Sequence, residues 1–448
     1  MTPAPMWTHQ ALPAMLADLR RLVELESPSD DKALLDRALD EIGDWAADRI
    51  GKPDLLQRHN GGRHGDVLEL TYHGTAPGFV LLVGHYDTVW PAGTLAGWPW
   101  RVSDGVISAP GVFDMKTGLV QAVWAVRGLR ELGLPHPSVR LLFNGDEEIG
   151  SPASRERIEG ASEGALATLV FEGAIDGAVK TSRKGVGIFQ VSATGIEAHA
   201  GLDPTAGASA VHALAALILD IAALGAPERG TTVNVGVVNG GTGTNVTAGR
   251  ATCGIDVRVS RTDEMDRVDA ALAALRSPDP RVSIALTGGW NRPPMTPNPA
   301  SEDLFARACK AAIEQGLDLR EAGVGGASDA NFVSALGRPV LDGLGPVGAG
   351  SHSRGEHAIV EHIPERTALT MGIITGYAGG APVVSGPSSR TRSDGPIVEL
   401  ASSSVIRLWL SALPSGGGIS SSMSPGTLWL SRLRVWVTVW AARLAVQP

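Results

Sequence analysis

Ionisable residues gather at a few turns of this chain. His85 and Asp87 stand in Gly84-His85-Tyr86-Asp87-Thr88-Val89, directly after the apolar run 80–83. Asp114 lies in the turn 111–118, and Glu147 and Glu148 follow the apolar run 139–143. Glu172 closes the strand-like stretch 165–171, and His352 sits in the polar turn Gly350-Ser351-His352-Ser353. Short apolar runs bounded by turn residues read as buried strands, and open α/β sheets bind ligands at the ends of such strands. Imidazole and carboxylate are ligands suited to Zn²⁺, and a carboxylate left over beside the metal can act as a base. Taken singly, each has a plainer reading: a histidine at a strand end is more often a hydrogen-bonded structural group, and paired glutamates suit the start of a helix. Together they point elsewhere, because four carboxylates in one place resist ionisation unless a cation accompanies them. The pattern predicts a metal-dependent hydrolase. Asp87 is placed to hold the second nitrogen of the His85 ring rather than to bind metal. Glu147 and Glu148 are adjacent, so that one can face the metal and the other a water.

These groups need a scaffold, and the hydrophobic pattern supplies one. Leu12, Met15, Leu16, Leu19, Leu22 and Val23 recur at helical spacing, as do Leu34, Leu35, Leu39, Ile42 and Trp45, giving two helices to flank a sheet. The spacing predicts a helix over 118–132, a short one near 153–158 and strands at 139–143 and 165–171. Such alternation implies an α/β fold with a parallel or mixed sheet covered on both faces. From about residue 181 the texture changes to strands at 187–193, 231–238, 251–259 and 281–286, with helices over 208–224 and 263–275. That order is ferredoxin-like. The first type of pattern then returns at 303–313, 339–341 and 364–377. The expected organisation is a split catalytic domain, 1–180 and 295–379, interrupted by an inserted α+β domain at 181–294. Residues 380–448 turn rich in Ser, Gly and Pro, carry six arginines against Asp394 and Glu399, and match neither part, so they read as a tail outside the fold.

At 448 residues the chain is long enough for two compact domains, and a net charge of -9 argues against a nucleic-acid partner. Cys253 and Cys309 offer no disulfide framework and no Cys-x-x-Cys site, so any metal must rest on histidines and carboxylates. The first ten residues lack a basic start followed by an apolar core, and a cytoplasmic location is the expectation. No uncharged apolar run reaches membrane-spanning length, so no firm membrane association is expected. The Gly240–Gly243 run lacks phosphate-loop spacing, Ser151 and Ser328 lack a nucleophile-elbow context, and His212 reads as a packing residue on a helix.

His85-Tyr86-Asp87-Thr88-Val89, the Asp114 turn, Asp146-Glu147-Glu148 and Glu197-Ala198-His199-Ala200-Gly201 resemble, in this order, the motifs of the M20 family of metallopeptidases. The pattern is most similar to the family's glutamate carboxypeptidase branch and extends over about 10–378. The resemblance implies two zinc ions bridged by Asp114, one bound also by His85 and Glu172, the other by Glu148 and His352. Co²⁺ or Mn²⁺ suits such ligands too. It implies Glu147 as general base and His199 as the donor to the tetrahedral oxyanion. It assigns Asn245, Arg258 and Arg292 to the substrate's carboxylate, which the planar fork of arginine can hold with two hydrogen bonds. Relatives of this kind often pair through the inserted domain, sending the histidine into the partner's site, so the domain is expected to act as lid and dimerisation surface of a homodimer. The expected reaction is hydrolysis of an amide next to a free carboxylate, in a small peptide or N-acyl amino acid ending in a Glu-like residue. An N-acyl-amino-acid deacylase or a dipeptidase is the alternative on the same metal core. A catalytically dead binding protein on this scaffold should lack a ligand or the base, and all are present.

Overall fold

The computed structural model describes residues 3–379; the tail from 380 lies outside the described residues. Its central sheet has six strands, in the spatial order Leu55–His59, Val67–Tyr72, Pro137–Asn144, Ala76–His85, Ala167–Val170 and Val340–Leu341. The first three pair antiparallel and the remaining contacts are parallel, which makes the sheet mixed. Alternation along Ala76–His85 explains why it has two covered faces. Val80 and Leu82 join a core with the helices Pro3–Glu24, Lys32–Ile50, Thr117–Glu131 and His362–Thr375, while Leu81 and Val83 point the other way, to a core with Ile158, Ala161, Ala330 and Val333. Asp31 caps the second helix by accepting from the Leu34 amide at 3.0 Å.

After Ala167–Val170 the chain leaves this sheet, and it returns with Val340–Leu341 paired beside the strand it left. Between them stands a separate antiparallel sheet, in the order Thr232–Gly240, Arg250–Val259, Gly185–Thr194 and Ser283–Arg292. The helices Ala210–Ala222 and Thr262–Ala273 alternate with these strands, and Val191, Leu214, Leu217, Cys253, Ile255, Val257 and Val268 form its own core.

Three features were not anticipated. Leu55–His59 and Val67–Tyr72 extend the central sheet on one side; the first is mostly exposed, so it lacks the apolar alternation that signals a strand. Val179–Arg183 pairs in parallel with Glu321–Val324. A small sheet of Arg101–Ser103, Val106–Ser108, His357–Ile359 and Gly348–Ala349 links segments some 240 residues apart in sequence. Its strands are two or three residues long, too short for any periodicity to register. It nonetheless sets the late histidine beside the early carboxylates.

Candidate metal centre

Three of the candidate segments begin where a strand of the central sheet runs out. His85 is the last residue of Ala76–His85, Glu147 and Glu148 form a short turn after Pro137–Asn144, and Glu172 lies two residues beyond Ala167–Val170. These three strands are neighbours and parallel, so their ends deliver the groups to one edge. Asp114 comes from the turn Val112–Lys116, which opens the helix Thr117–Glu131. That helix start packs so closely on the segment carrying Glu172 that a Cβ at Gly118 would lie 2.1 Å from the Phe171 carbonyl oxygen. His352 arrives on the hairpin between Gly348–Ala349 and His357–Ile359, and the latter strand pairs with Val106–Ser108, just before the Asp114 turn.

Two ligand groups result, and they share one residue. One donor atom from each of His85, Asp114 and Glu172 lies within 4.8 Å of the others, and the same holds for Asp114, Glu148 and His352. Asp114 turns Oδ1 toward His85 Nε2 at 3.1 Å and Oδ2 toward His352 Nε2 at 3.6 Å. Glu172 Oε1 lies 3.5 Å from His85 Nε2, and Glu148 Oε2 accepts from His352 Nε2 at 2.9 Å. The other Glu148 oxygen, Oε1, is buried with no hydrogen-bond partner. A buried carboxylate oxygen left without a donor is costly, and a cation would satisfy it.

The electrostatics carry the same message. Burial disfavours charge on His85, but the carboxylates of Asp114, Asp87 and Glu172 outweigh it and lift the ring well above its usual pKa. The hydrogen bond that His352 donates to Glu148 raises its ring to about 9, while burial raises Glu148 to about 7 against the pull of His352. Burial alone would raise Asp114, yet the His85 hydrogen bond brings it below the usual carboxylate range. The carboxylates thus favour positive charge at both imidazoles, and neutral imidazole with divalent metal would meet that demand in the same place. Donor set and charge fit a pair of divalent cations sharing Asp114.

Asp87 differs in detail from expectation. His85 Nδ1 lies 3.0 Å from the backbone carbonyl of Asp87 and 3.4 Å from its Oδ1, so the carbonyl is the nearer acceptor. The fully buried carboxylate mainly accepts from the backbone amides of Glu147 and Glu148, each at 3.2 Å, and from Ser29 Oγ at 2.8 Å. Asp87 therefore also holds the turn that presents the two glutamates.

Arg292, assigned by resemblance to the substrate's carboxylate, has a side chain only 7% exposed, with Nη2 donating to Glu147 Oε1 at 2.8 Å, Ser151 Oγ at 2.9 Å and Asp329 Oδ1 at 3.1 Å. The crowd of buried acids draws it in, and it packs 5.2 Å from the Phe332 ring centroid. Arg292 ends the last strand of the antiparallel sheet and so ties that sheet to Glu147. Arg258 forms a two-point contact with Asp256, at 2.9 Å for its Nε and Nη2.

The backbone segments that carry His199 and Asn245 pair with each other. His199 bridges to Val246, and the Ala200 amide donates to the Asn245 carbonyl at 2.9 Å. The His199 ring accepts at Nδ1 from the amides of Gly201 and Leu202, both at 3.1 Å, which places the proton of the neutral ring on Nε2 and points a donor outward. Among the described residues, no hydrogen bond or ion pair joins His199, Asn245 or Arg258 to the carboxylate cluster within one chain.

Glu356 escaped the sequence reading. It is fully buried, and it accepts from the amides of Phe113 at 2.9 Å, Asp114 at 3.0 Å and Gly111 at 3.0 Å and from Trp90 Nε1 at 2.9 Å. The signal was its place four residues after His352, in a turn too polar to suggest burial.

Comparison with known proteins accords with this geometry. The sequence pattern of "Peptidase family M20/M25/M40" matches residues 81–375. The chain is 28% identical over 380 residues to carboxypeptidase G2 of Pseudomonas sp. (strain RS-16), covering 82% of this chain and 90% of that protein. It is 29% identical over 318 residues to succinyl-diaminopimelate desuccinylase of Dechloromonas aromatica (strain RCB), covering 66% of this chain and 82% of that one. In fold it is similar to aminopeptidase PepT from Bacillus cereus ATCC 10987, with a TM-score of 0.68 at 22% identity over 82% of this chain and 98% of the other. With a matching pattern that spans the strands, turns and return segment just described, this chain belongs to peptidase family M20/M25/M40 and is a metallopeptidase/amidohydrolase of that family.

Proposed function

We propose that this protein is a di-zinc carboxypeptidase that hydrolyses an amide bond beside a free carboxylate and releases a C-terminal Glu-like amino acid, with Co²⁺ or Mn²⁺ able to replace zinc. The observation that carries the reading is the pair of ligand groups sharing Asp114, with Glu147 left over beside them. The likeness to a carboxypeptidase over most of that enzyme's length supports the reaction type. His85, Asp114 and Glu172 would hold one ion and Asp114, Glu148 and His352 the other. Bound there, the pair would polarise the scissile carbonyl and lower the pKa of a water. Glu147 takes the proton from the attacking water and delivers it to the leaving amine. Arg292 and the amide contact to Asp87 keep that carboxylate in place. His199 offers its Nε2 proton to the oxyanion, and Asn245 and Arg258 receive the substrate carboxylate.

In this reading residues 1–180 and 295–379 form the catalytic domain, and 181–294 a lid through which two copies pair. Support comes from the outer strand Thr232–Gly240, which among the described residues pairs on one side only and exposes Val237 and Val238, and from the His199 ring, whose hydrogen bonds among the described residues are to Gly201 and Leu202 rather than to its own chain's candidate ligands. Mixing an inactive His199→Ala chain with an inactive Glu147→Gln chain should then restore part of the activity, since one hybrid site holds both groups intact. Subunit exchange confirmed by mass with no activity recovered would leave His199 working in its own subunit or not at all.

A second reading has its own support in the likeness to a desuccinylase: an N-acyl-amino-acid deacylase, or a dipeptidase, on the same metal core. The zinc-loaded protein should be screened against matched N-acyl amino acids, dipeptides and longer peptides. Preference for peptidyl or acyl substrates ending in Glu is the expected result; turnover confined to N-succinyl or N-acetyl amino acids without that ending would select the second reading.

A further inference from the structure

The hairpin that carries His352 is gripped by groups that the proposed chemistry does not use. His352 has φ 60°, in the left-handed region, where a residue other than glycine stays only when its surroundings hold it. Its side chain is 55% exposed, against 14% for Asp114, 11% for Glu172, 4% for Glu148 and 1% for His85. The least enclosed of these residues thus also has a left-handed backbone, and something nearby must fix it.

Two residues on, the guanidinium carbon of Arg354 lies 5.4 Å from the ring centroids of both Trp90 and Trp98. The two indoles stand edge to face, 5.0 Å apart and 85° to one another. A guanidinium within about 6 Å of an indole is attracted to it, more strongly when several faces surround it. Among the described residues Arg354 has no carboxylate partner, so the aromatic pair is its anchor. Neither indole is loose: Trp90 Nε1 donates to Glu356 Oε2 at 2.9 Å and Trp98 Nε1 to Ser108 Oγ at 3.0 Å. Glu356 in turn accepts from the Asp114 amide. A chain of contacts therefore runs from the segment after His85, through the turn of Asp114, to the hairpin of His352.

We propose that Arg354, seated on Trp90 and Trp98, is a positioning residue that fixes the His352 hairpin in the conformation able to bind the second metal ion. The inference rests on the two-ion reading above and adds to it a reason for the different exposure of the two ligand groups. Loss of the contact lowers affinity for the ion bound by Glu148 and His352 by roughly tenfold, the size of a partly desolvated cation–π contact. The ion bound by His85 and Glu172 is unaffected, since neither of those residues sits on the hairpin.

The test is a Co²⁺ titration of the chelator-stripped full chain followed by visible absorption, with Arg354→Ala, Arg354→Lys and Trp98→Ala beside the unaltered protein. The unaltered chain should take up two equivalents. Arg354→Ala and Trp98→Ala should bind the first as before and the second about tenfold more weakly, and Arg354→Lys, which keeps a cation over the indoles, should recover most of the loss. Two equivalents with unchanged second affinity in Arg354→Ala would overturn the proposal and leave the two-ion reading standing. Equal weakening of both equivalents would also overturn it, as the mark of general loosening. An unaltered chain that binds one equivalent or none would overturn both.

Discussion

Replacing Glu147 by Gln lowers kcat by about 10²–10⁴-fold, the usual cost of removing a general base, and leaves metal content at the level of the unaltered protein. The physical ground is the separation of roles between two adjacent residues. Glu148 lies against His352 and belongs to a ligand group, whereas Glu147 belongs to neither group and ion-pairs with Arg292. The amide side chain of Gln keeps the shape and can still meet Arg292 through its oxygen, but it cannot take a proton from water. KM should change little, because the lost interaction belongs to the transition state. Steady-state kinetics together with elemental analysis of the purified variant check both halves. Loss of metal in Glu147→Gln, or retention of nearly full kcat, would reverse the assignment of the two glutamates.

The surroundings of Glu147 also suit a base. Burial pushes its carboxyl well above the usual 4.5, and the charge of Arg292 opposes that push without cancelling it. A carboxylate raised in this way accepts a proton more readily than an exposed one, which brings its basicity toward the pH at which it must work. Arg292, buried among Glu147, Ser151 and Asp329 at the end of the strand Ser283–Arg292, holds the Glu147 carboxylate in place.

What the sequence revealed and what it hid follow from the length of the signals. The strands ending at His85 and Asn144 announce themselves as unbroken apolar runs followed by acids, and the helices at Lys32–Ile50 and Thr117–Glu131 by several turns of apolar spacing. His85 and Glu148 of the candidate ligand groups stand at or just after the first two of those ends, while the full set was named through the family resemblance. Leu55–His59 was not, because an exposed edge strand has no buried face to imprint on its sequence. Glu356 and the Arg354 contact depend on pairings between residues over 240 positions apart, made by strands of three residues, and no local pattern encodes them. Arg292 was assigned by resemblance alone, and its setting among Glu147, Ser151 and Asp329 emerges only from the fold.

Asp114→Asn should have a larger effect on metal than any other single change at the site. Each of the other ligand residues serves one group, but Asp114 serves both, with Oδ1 toward His85 and Oδ2 toward His352. Asparagine keeps one oxygen, replaces the other by an amide nitrogen that cannot bind a cation, and removes the negative charge that two divalent ions would share. Substitution of outer partners of metal ligands costs about 10–100-fold in affinity, so loss of a ligand common to two ions should exceed that at both. The turn itself should survive, since Glu356 holds it through backbone amides that the substitution leaves alone. The expected result is a folded protein, by circular dichroism, that takes up neither equivalent at micromolar metal and shows no hydrolysis above background. Glu148→Gln, by contrast, should keep the equivalent held by His85 and Glu172. The comparison is sharp because both variants remove a single negative charge. If Asp114→Asn retained one tightly bound equivalent while Glu148→Gln lost both, Asp114 would belong to one ion only and the shared-carboxylate arrangement would have to be abandoned.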